Sequence, residues 1–513
     1  MLWMDRLRVA TIEIAAVEPI RGFDVARADG ITLGERALWF RWLLLATLCT
    51  MALAGISLLV RPALPVDETR YLAVAWEMWT RGDFLVPHLN GAAYDHKPPL
   101  LFWLMHLGWW LFGVNEWWPR MISPICALVA IIGLERLASI LWPQHRAVGR
   151  IGSLMFLSAS YFAIYQTAVM FDALLLACVT SGWYTLVRAS NATGWRWWAI
   201  FGVCMGLGGL AKGPVVLVYL LPPAIAMRWW LQRTVRAQAL HSALAALIAI
   251  SIPALWIVAA AHAAPAEYLN RVLIDQTLHR VHGQIGHPRA FWWYLLPLVL
   301  LHFPWVLWPR LVRSVARLHD FRMDTGVRFT AITAACSLLI LSAISGKQIQ
   351  YLIPIVALSF LMLARALTAP SSDVRKPIET AVRRGMLASL VCTLLVLIIA
   401  FGILRPRYDL AAAGDYAGAQ ASAGRPLAYV GKYQGELQFF GRLRQPVATL
   451  KPSTAMAWLQ ANPTGLVIAR LKRMDLRGTP VAEFDQHYKS DRLLMFNAQT
   501  FIDSGSQFRT PAS

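Results

Sequence analysis

The sequence predicts an α-helical polytopic membrane protein of about eleven membrane-spanning helices, with juxtamembrane helices in its first external loop and a small C-terminal α/β soluble domain. Three observations predict it. Of 513 residues, 57% are hydrophobic and only 15% charged, against roughly 25% charged in an ordinary soluble domain. Apolar runs long enough to cross about 30 Å of hydrocarbon recur from Leu38 to Ala400. After about Arg405 the composition turns polar, and short strand-like runs alternate with helical ones. Within lipid the apolar runs must be helices, because any other conformation short of a closed barrel leaves backbone N–H and C=O groups unpaired.

Spans are expected near 38–60, 118–141, 151–169, 173–188, 197–211, 213–227, 238–260, 291–308, 328–345, 349–366 and 385–404. The clusters Arg136/Arg146/Arg150, Arg188/Arg196, Arg228/Arg233/Arg236, Arg310/Arg313/Arg317/Arg322 and Arg375/Lys376/Arg383/Arg384 then share one side, which the positive-inside rule makes the cytoplasm. Residues 1–37 read as a cytoplasmic tail leading into a retained helix, because no small-residue cleavage site follows the first apolar run. A transmembrane domain would occupy 38–404 and an external α/β domain 405–513, outside because an odd number of spans precedes it. Loops 61–117 and 261–290 and the turns at Asp172, Lys212 and Lys347 face the exterior. The apolar segment 98–113 is expected to lie along the membrane surface, since counting it as a span would move Arg136–Arg150 outside. Short strands are expected at 426–431, 445–450, 465–470 and 493–497, with helices at 433–440 and 453–461.

The net charge of +20 does not point to nucleic acid, because the positive charges punctuate alternate membrane loops. Cysteines 49, 126, 178, 204, 336 and 392 all lie in apolar segments, where a thiol acts as a small hydrophobe. Neither a structural disulfide nor a cysteine metal site is expected.

Before residue 400 the lysines are Lys97, Lys212, Lys347 and Lys376. The first three fall at external helix ends beside glycine or proline, where positive-inside logic disfavours cations. Each either snorkels to the headgroups or meets a functional anion. The first external loop adds Asp67-Glu68-Thr69-Arg70-Tyr71 and Tyr94-Asp95-His96-Lys97. Acids suited to a general base there lie next to cations suited to a phosphate; alternatively Asp67 and Glu68 cap the helix through Tyr71–Trp79. Asp172 interrupts an apolar stretch and either caps the next helix or faces a polar cavity. Loop 261–290 supplies Arg280 and histidines 279, 282 and 287, whose irregular spacing is a weak metal signal.

Asp67–Tyr71, Gly82-Asp83-Phe84 with Pro87 and Leu89-Asn90-Gly91, Tyr94–Leu100 and Phe112–Trp117 closely resemble the first periplasmic loop of the aminoarabinose transferase and protein O-mannosyltransferase-like superfamily. The resemblance continues through Asp172, Lys212-Gly213-Pro214, His287 with Phe291–Tyr294, Pro304-Trp305, and Ser345-Gly346-Lys347 with Tyr351–Pro354, and covers nearly all of residues 40–365. It implies a GT-C glycosyltransferase of a bacterial inner membrane, using a polyprenyl-phosphate sugar donor on the external face. The acceptor would be lipid A, another envelope glycan or a lipid. By the same resemblance the carboxylate at Asp67 is the catalytic base and that at Asp172 lines its cavity. Arg70, Tyr71, Tyr94, Lys97, Lys212, Arg280 and Tyr351 contact the donor phosphate or shape the pocket, and Lys347 joins them as the third external lysine. Where aminoarabinose transferases carry a Glu associated with a metal site, this chain has His96. With His287 it marks where a divalent metal would be held; no other cofactor is implied. The rival reading is a transporter or flippase of polyprenyl-linked substrates, which would need the same external cationic cavity. Transporters usually show paired broken helices in two halves, and the Lys-Gly-Pro break at 212 has no partner.

Overall fold

The computed structural model describes residues 33–191, 194–231, 239–263, 268, 289–368, 372–470 and 475–509. The apolar runs fold as α1 (Leu33–Val60), α4 (Trp117–Leu141), α5 (Ala147–Leu157), α6 (Ser160–Tyr165), α7 (Phe171–Asn191), α8 (Arg196–Lys212), α9 (Val215–Ile225), α10 (Met227–Leu231) and α11 (Ala239–Ala263). They are followed by α12 (Leu295–Leu300), α13 (Pro309–Ala316), α14 (Thr325–Ala343), α15 (Ile353–Leu367) and α16 (Ser372–Tyr408). Six helical segments among the described residues are long and apolar enough to cross a membrane.

Three of the expected spans are not single helices of membrane-crossing length. The run 151–169 breaks at Ser158-Ala159, between α5 and α6, where the Ser160 amide bonds the Phe303 carbonyl at 2.9 Å. The run 213–227 is α9, too short at 11 residues to cross about 30 Å alone. The run 291–308 divides into 3-10 and α segments around Pro297 and Pro304, since proline removes a backbone donor and crowds the preceding turn.

Helices α4 and α7 pack closely. A Cβ at Gly133 would sit 2.8 Å from the Thr180 hydroxyl, so glycine is what allows the approach. Around this pair Leu134, Leu137, Leu176, Trp183, Phe360 and Leu361 are fully buried in one core.

The loop between α1 and α4 folds as α2 (Asp67–Arg81) and α3 (Leu100–Phe112). Between them a two-residue hairpin joins β1 (His88–Leu89) to β2 (Ala92–Ala93). Asn90 and Gly91 both have positive φ, 53° and 86°, which suits the Asn-Gly pair favoured in such turns. Helix α3 has 13 residues, or about 20 Å, and so does not span. It carries a buried histidine, His106, whose Nε2–H donates to the Ala75 carbonyl at 2.9 Å between Trp79, Phe84 and Trp109. Burial, only partly opposed by that bond, lowers its pKa from 6.5 to about 4. The folded state therefore refuses a proton that the unfolded chain accepts. Stability present above about pH 6.5 is lost as the pH falls through about 4. The His106→Phe variant is expected to show a flatter dependence of melting temperature on pH over that window.

Beyond α16 lie α17 (Ala411–Ser422), β3 (Leu427–Val430), β4 (Ala448–Leu450), α18 (Pro452–Ala461), β5 (Leu466–Arg470), β6 (Asp475–Arg477), β7 (Phe484–Tyr488), β8 (Asp491–Asn497), α19 (Ala498–Asp503) and β9 (Gln507–Arg509). Strand order is β4-β3-β5-β8-β7, with β6 pairing β9 separately. β3 runs parallel to β4 and β5, Tyr429 facing Ile468, and β8 is antiparallel to β5 and β7. β3 and β5 are buried on both faces, which explains their unbroken apolar runs. Leu427, Tyr429, Ile468 and Met495 pack toward α17, while Val430, Val467, Ala469 and Phe496 pack toward α18 and α19.

The expected helix at 433–440 is instead a series of turns. Gly435 takes φ 80°, and a Cβ there would lie 2.6 Å from Leu89. The segment is shaped by docking on the first loop rather than by its own helix propensity.

Candidate functional site

Helix α2 starts directly after Val66, which makes no side-chain cap. Asp67 and Glu68 occupy its first turn, where the helix dipole favours acids, but neither caps it. Being successive helical residues, they point in directions about 100° apart and meet different environments. Glu68 turns inward to Arg61 at 2.5 Å, with both side chains 2% exposed. Asp67 stays half exposed and pairs with Arg70, one turn along the same face. The other arm of the Arg70 guanidinium donates to Gln434 Oε1 of the C-terminal domain at 2.8 Å.

Tyr71 follows, buried, its ring edge-on to Phe171 at 5.0 Å and to Phe102 at 6.5 Å. Burial, then Tyr94 and the carboxylates of Asp67 and Asp172, hold its phenol well above the usual range against the opposing charge of Arg70. A protonated hydroxyl thus lies within electrostatic reach of both candidate carboxylates. Tyr94 is buried against the edge of Phe102 at 6.4 Å and stacks on His96 at 5.3 Å. The Lys97 ammonium lies 5.7 Å from the centre of the Phe171 ring, a cation–π distance.

Asp172 stands in the first turn of α7 and Lys212 at the last residue of α8. Chain reversal at Gly213, with φ 75°, turns that helix end toward α7, and the two side chains form a buried ion pair. The carboxylate does not cap α7. It takes the Lys212 proton donor on one oxygen and the Tyr165 hydroxyl, at 2.9 Å, on the other. Lys212 also lies 4.7 Å from the centre of the Tyr351 ring, whose backbone carbonyl accepts from the Tyr219 hydroxyl at 2.8 Å.

The structure therefore brings together an outer acid–cation pair, Asp67–Arg70, and an inner one, Asp172–Lys212. Tyr71 and Phe171 stand between them, and Lys97, Tyr94 and Tyr351 flank them. Lys347 makes a different contact: it is 3% exposed, and its ammonium donates to the Ile344 carbonyl at 2.5 Å, closing the end of α14. Arg280 and His287 lie outside the described residues. His96 is half exposed, 3.7 Å from Asp95, and among the described residues no three His, Cys, Asp or Glu side chains converge as a metal site would require.

The sequence reading missed Tyr165, Gln434 and the Arg61–Glu68 pair. Tyr165 carried a signal, seven residues before Asp172 across a helix break. Gln434 carried none, since it lies 364 positions from Arg70 and only tertiary folding joins them.

Residues 96–257 match the family model described as dolichyl-phosphate-mannose-protein mannosyltransferase. The undecaprenyl phosphate-alpha-4-amino-4-deoxy-L-arabinose arabinosyl transferase 2 of Pseudomonas fluorescens (strain Pf0-1) is 27% identical over 354 residues, 67% of this chain and 62% of that protein. The corresponding transferase of Pectobacterium carotovorum is 28% identical over 60% of this chain and 56% of its own length. The chain thus spans about three fifths of the length of the curated relatives it matches. The crystal structure of ArnT from Cupriavidus metallidurans bound to undecaprenyl phosphate superposes with TM-score 0.68 at 16% identity, covering 88% of this chain and 98% of that one. That likeness extends to the fold. Sequence similarity thus relates the chain to aminoarabinose transferases and to the mannosyltransferase family model, and its fold is that of the ArnT structure.

Proposed function

We propose that this chain is a glycosyltransferase that moves a sugar from a polyprenyl-phosphate donor to lipid A, another envelope glycan or a lipid acceptor. It works at the periplasmic face of a bacterial inner membrane. The observation that carries the reading is the clustering of Asp67–Arg70 and Asp172–Lys212 around Tyr71 and Phe171. All come from helix ends on the face opposite the arginine-rich loops. The match of residues 96–257 to a mannosyltransferase family and the names of the curated relatives support the same chemistry.

The acceptor hydroxyl attacks the anomeric carbon as its proton passes to a carboxylate, and the bond from that carbon to the donor phosphate oxygen breaks. Negative charge that was shared with the sugar collects on the departing polyprenyl phosphate. Asp67, the more exposed carboxylate, is the assigned base. Arg70, Lys97 and Lys212 supply the positive charge for the phosphate, with Arg280 assigned to the same task. Asp172 holds the Lys212 ammonium in the site and keeps its buried charge compensated. Tyr71, Tyr94 and Tyr351 wall the pocket. Should a divalent ion take part, His96 and His287 are the side chains assigned to it.

Membranes containing the chain are expected to transfer label from polyprenyl-phosphate sugars into envelope lipid and to release polyprenyl phosphate in equal amount. Control membranes lacking it should do neither. Translocation of the donor across vesicles without sugar transfer, over a broad donor panel, would establish the transporter reading instead.

A further inference from the structure

At the opposite ends of the same helices lies a second cationic site. Along α7, Asp172 and Arg188 are separated by about 24 Å at 1.5 Å per residue. Around Arg188 the ends of α1, α4, α5 and α7 enclose a cavity of about 800 Å³. Six arginines line it: Arg36, Arg41, Arg136, Arg146, Arg150 and Arg188. The lining carboxylates are Glu35 and Glu135, and both are engaged. Glu35 lies 3.2 Å from Arg150, whose second arm reaches Glu379 at 3.2 Å. Glu135 accepts from the Trp39 indole at 3.0 Å and lies 3.8 Å from Arg136.

A positive-inside bias explains arginines at helix ends facing water. It does not explain gathering six arginines around one cavity against two lining carboxylates, where like charges repel unless a further anion joins them. The cavity also continues into an exposed apolar face. Phe40, one of its lining residues, begins an exposed apolar row on α1 with Leu44 and Leu48, which are 63%, 50% and 58% exposed. Their spacing of four puts them on one helix face. A charged chamber at the ends of apolar helices, continued by an apolar row along α1, matches an amphiphile with an anionic head rather than a free anion.

We infer that this cavity binds the phosphate headgroup of an anionic membrane phospholipid, with an acyl chain along Phe40, Leu44 and Leu48. The lining guanidinium groups beyond Arg150 and Arg136, Arg41 and Arg188 among them, provide the charge-assisted, fork-shaped donors that a phosphodiester takes. Basic pockets between helices on the arginine-rich side of a membrane are suited to such lipids.

The test uses the full chain in neutral detergent, with phosphatidylglycerol, phosphatidylcholine and inorganic phosphate as probes. Native mass spectrometry and melting temperature are the readouts, so the result does not depend on the transferase assignment. Phosphatidylglycerol is expected to stay bound and raise the melting temperature. In the double variant Arg41→Gln/Arg188→Gln its retention should fall on the order of tenfold. Neither arginine holds a carboxylate among the described residues, so that variant should stay folded without lipid, its melting temperature lowered only by loss of the Arg188 stack on Trp197 at 4.6 Å. Equal retention of phosphatidylcholine, equal stabilisation by inorganic phosphate, or unchanged retention by the folded variant would each overturn the assignment.

Discussion

Asp67→Asn is expected to lower the rate of sugar transfer by about 10²- to 10⁴-fold, the usual contribution of a positioned general base. Asparagine keeps the size of the side chain and an oxygen that can accept from Arg70, but it cannot take the acceptor's proton. The loss should therefore appear in single-turnover transfer rates while donor affinity changes little. Equal activity of the two proteins would move the base to Asp172. That carboxylate cannot be tested as cleanly, because Asp172→Asn leaves the Lys212 ammonium in a site where it is 4% exposed without its counter-charge. Loss of activity in that variant mixes chemistry with a disturbed ion pair, whereas Asp67 is half exposed and its partner Arg70 retains Gln434.

Arg61→Met is expected to produce the largest loss of stability, about 3 to 5 kcal/mol, because it strands the buried Glu68 carboxylate. Arg61 also donates to the Ser57 hydroxyl at 3.1 Å and the Thr167 carbonyl at 2.8 Å, and its own carbonyl accepts from Arg120 at 2.6 Å. This knot joins α1, α2, α4 and the turn before α7. The double variant Arg61→Met/Glu68→Leu should recover much of the loss, since it removes both charges together. Thermal unfolding of the four proteins in one detergent measures the coupling. A double variant no more stable than Arg61→Met would show that the hydrogen bonds to Ser57 and Thr167, rather than the stranded charge, dominate.

The outer shape of the fold and the polar centre of the site were legible for one reason. In a chain whose background is apolar, a lysine or aspartate at a helix end away from the arginine clusters stands out, and Asp67, Arg70, Lys97, Asp172 and Lys212 all did. Lys347 carried the same signal but donates to the carbonyl at its own helix end, so position alone did not distinguish a cation of the cluster from one that closes a helix end. The neighbours Asp67 and Glu68 show a second limit. Composition marks both as acids in a first turn, yet only packing decides which faces the buried Arg61. Residues 433–440 show a third, because a helix-like pattern was overruled by the close approach of Gly435 to Leu89, a contact between remote parts of the chain.

That docked segment changes what the C-terminal domain can be taken to be. The Trp76 indole donates to the Leu443 carbonyl at 2.9 Å, Asn90 exchanges two hydrogen bonds with Val447, and Phe439 stacks on Trp109 at 5.6 Å. Gln434 meanwhile grips the same arginine that holds Asp67. The domain and the first loop are thus packed as one unit. A chimera that exchanges residues 405–513 between relatives would bring foreign side chains against α2 and α3. Grafting it without its matching first loop should disarm the recipient, and the two would have to be inherited or transplanted together.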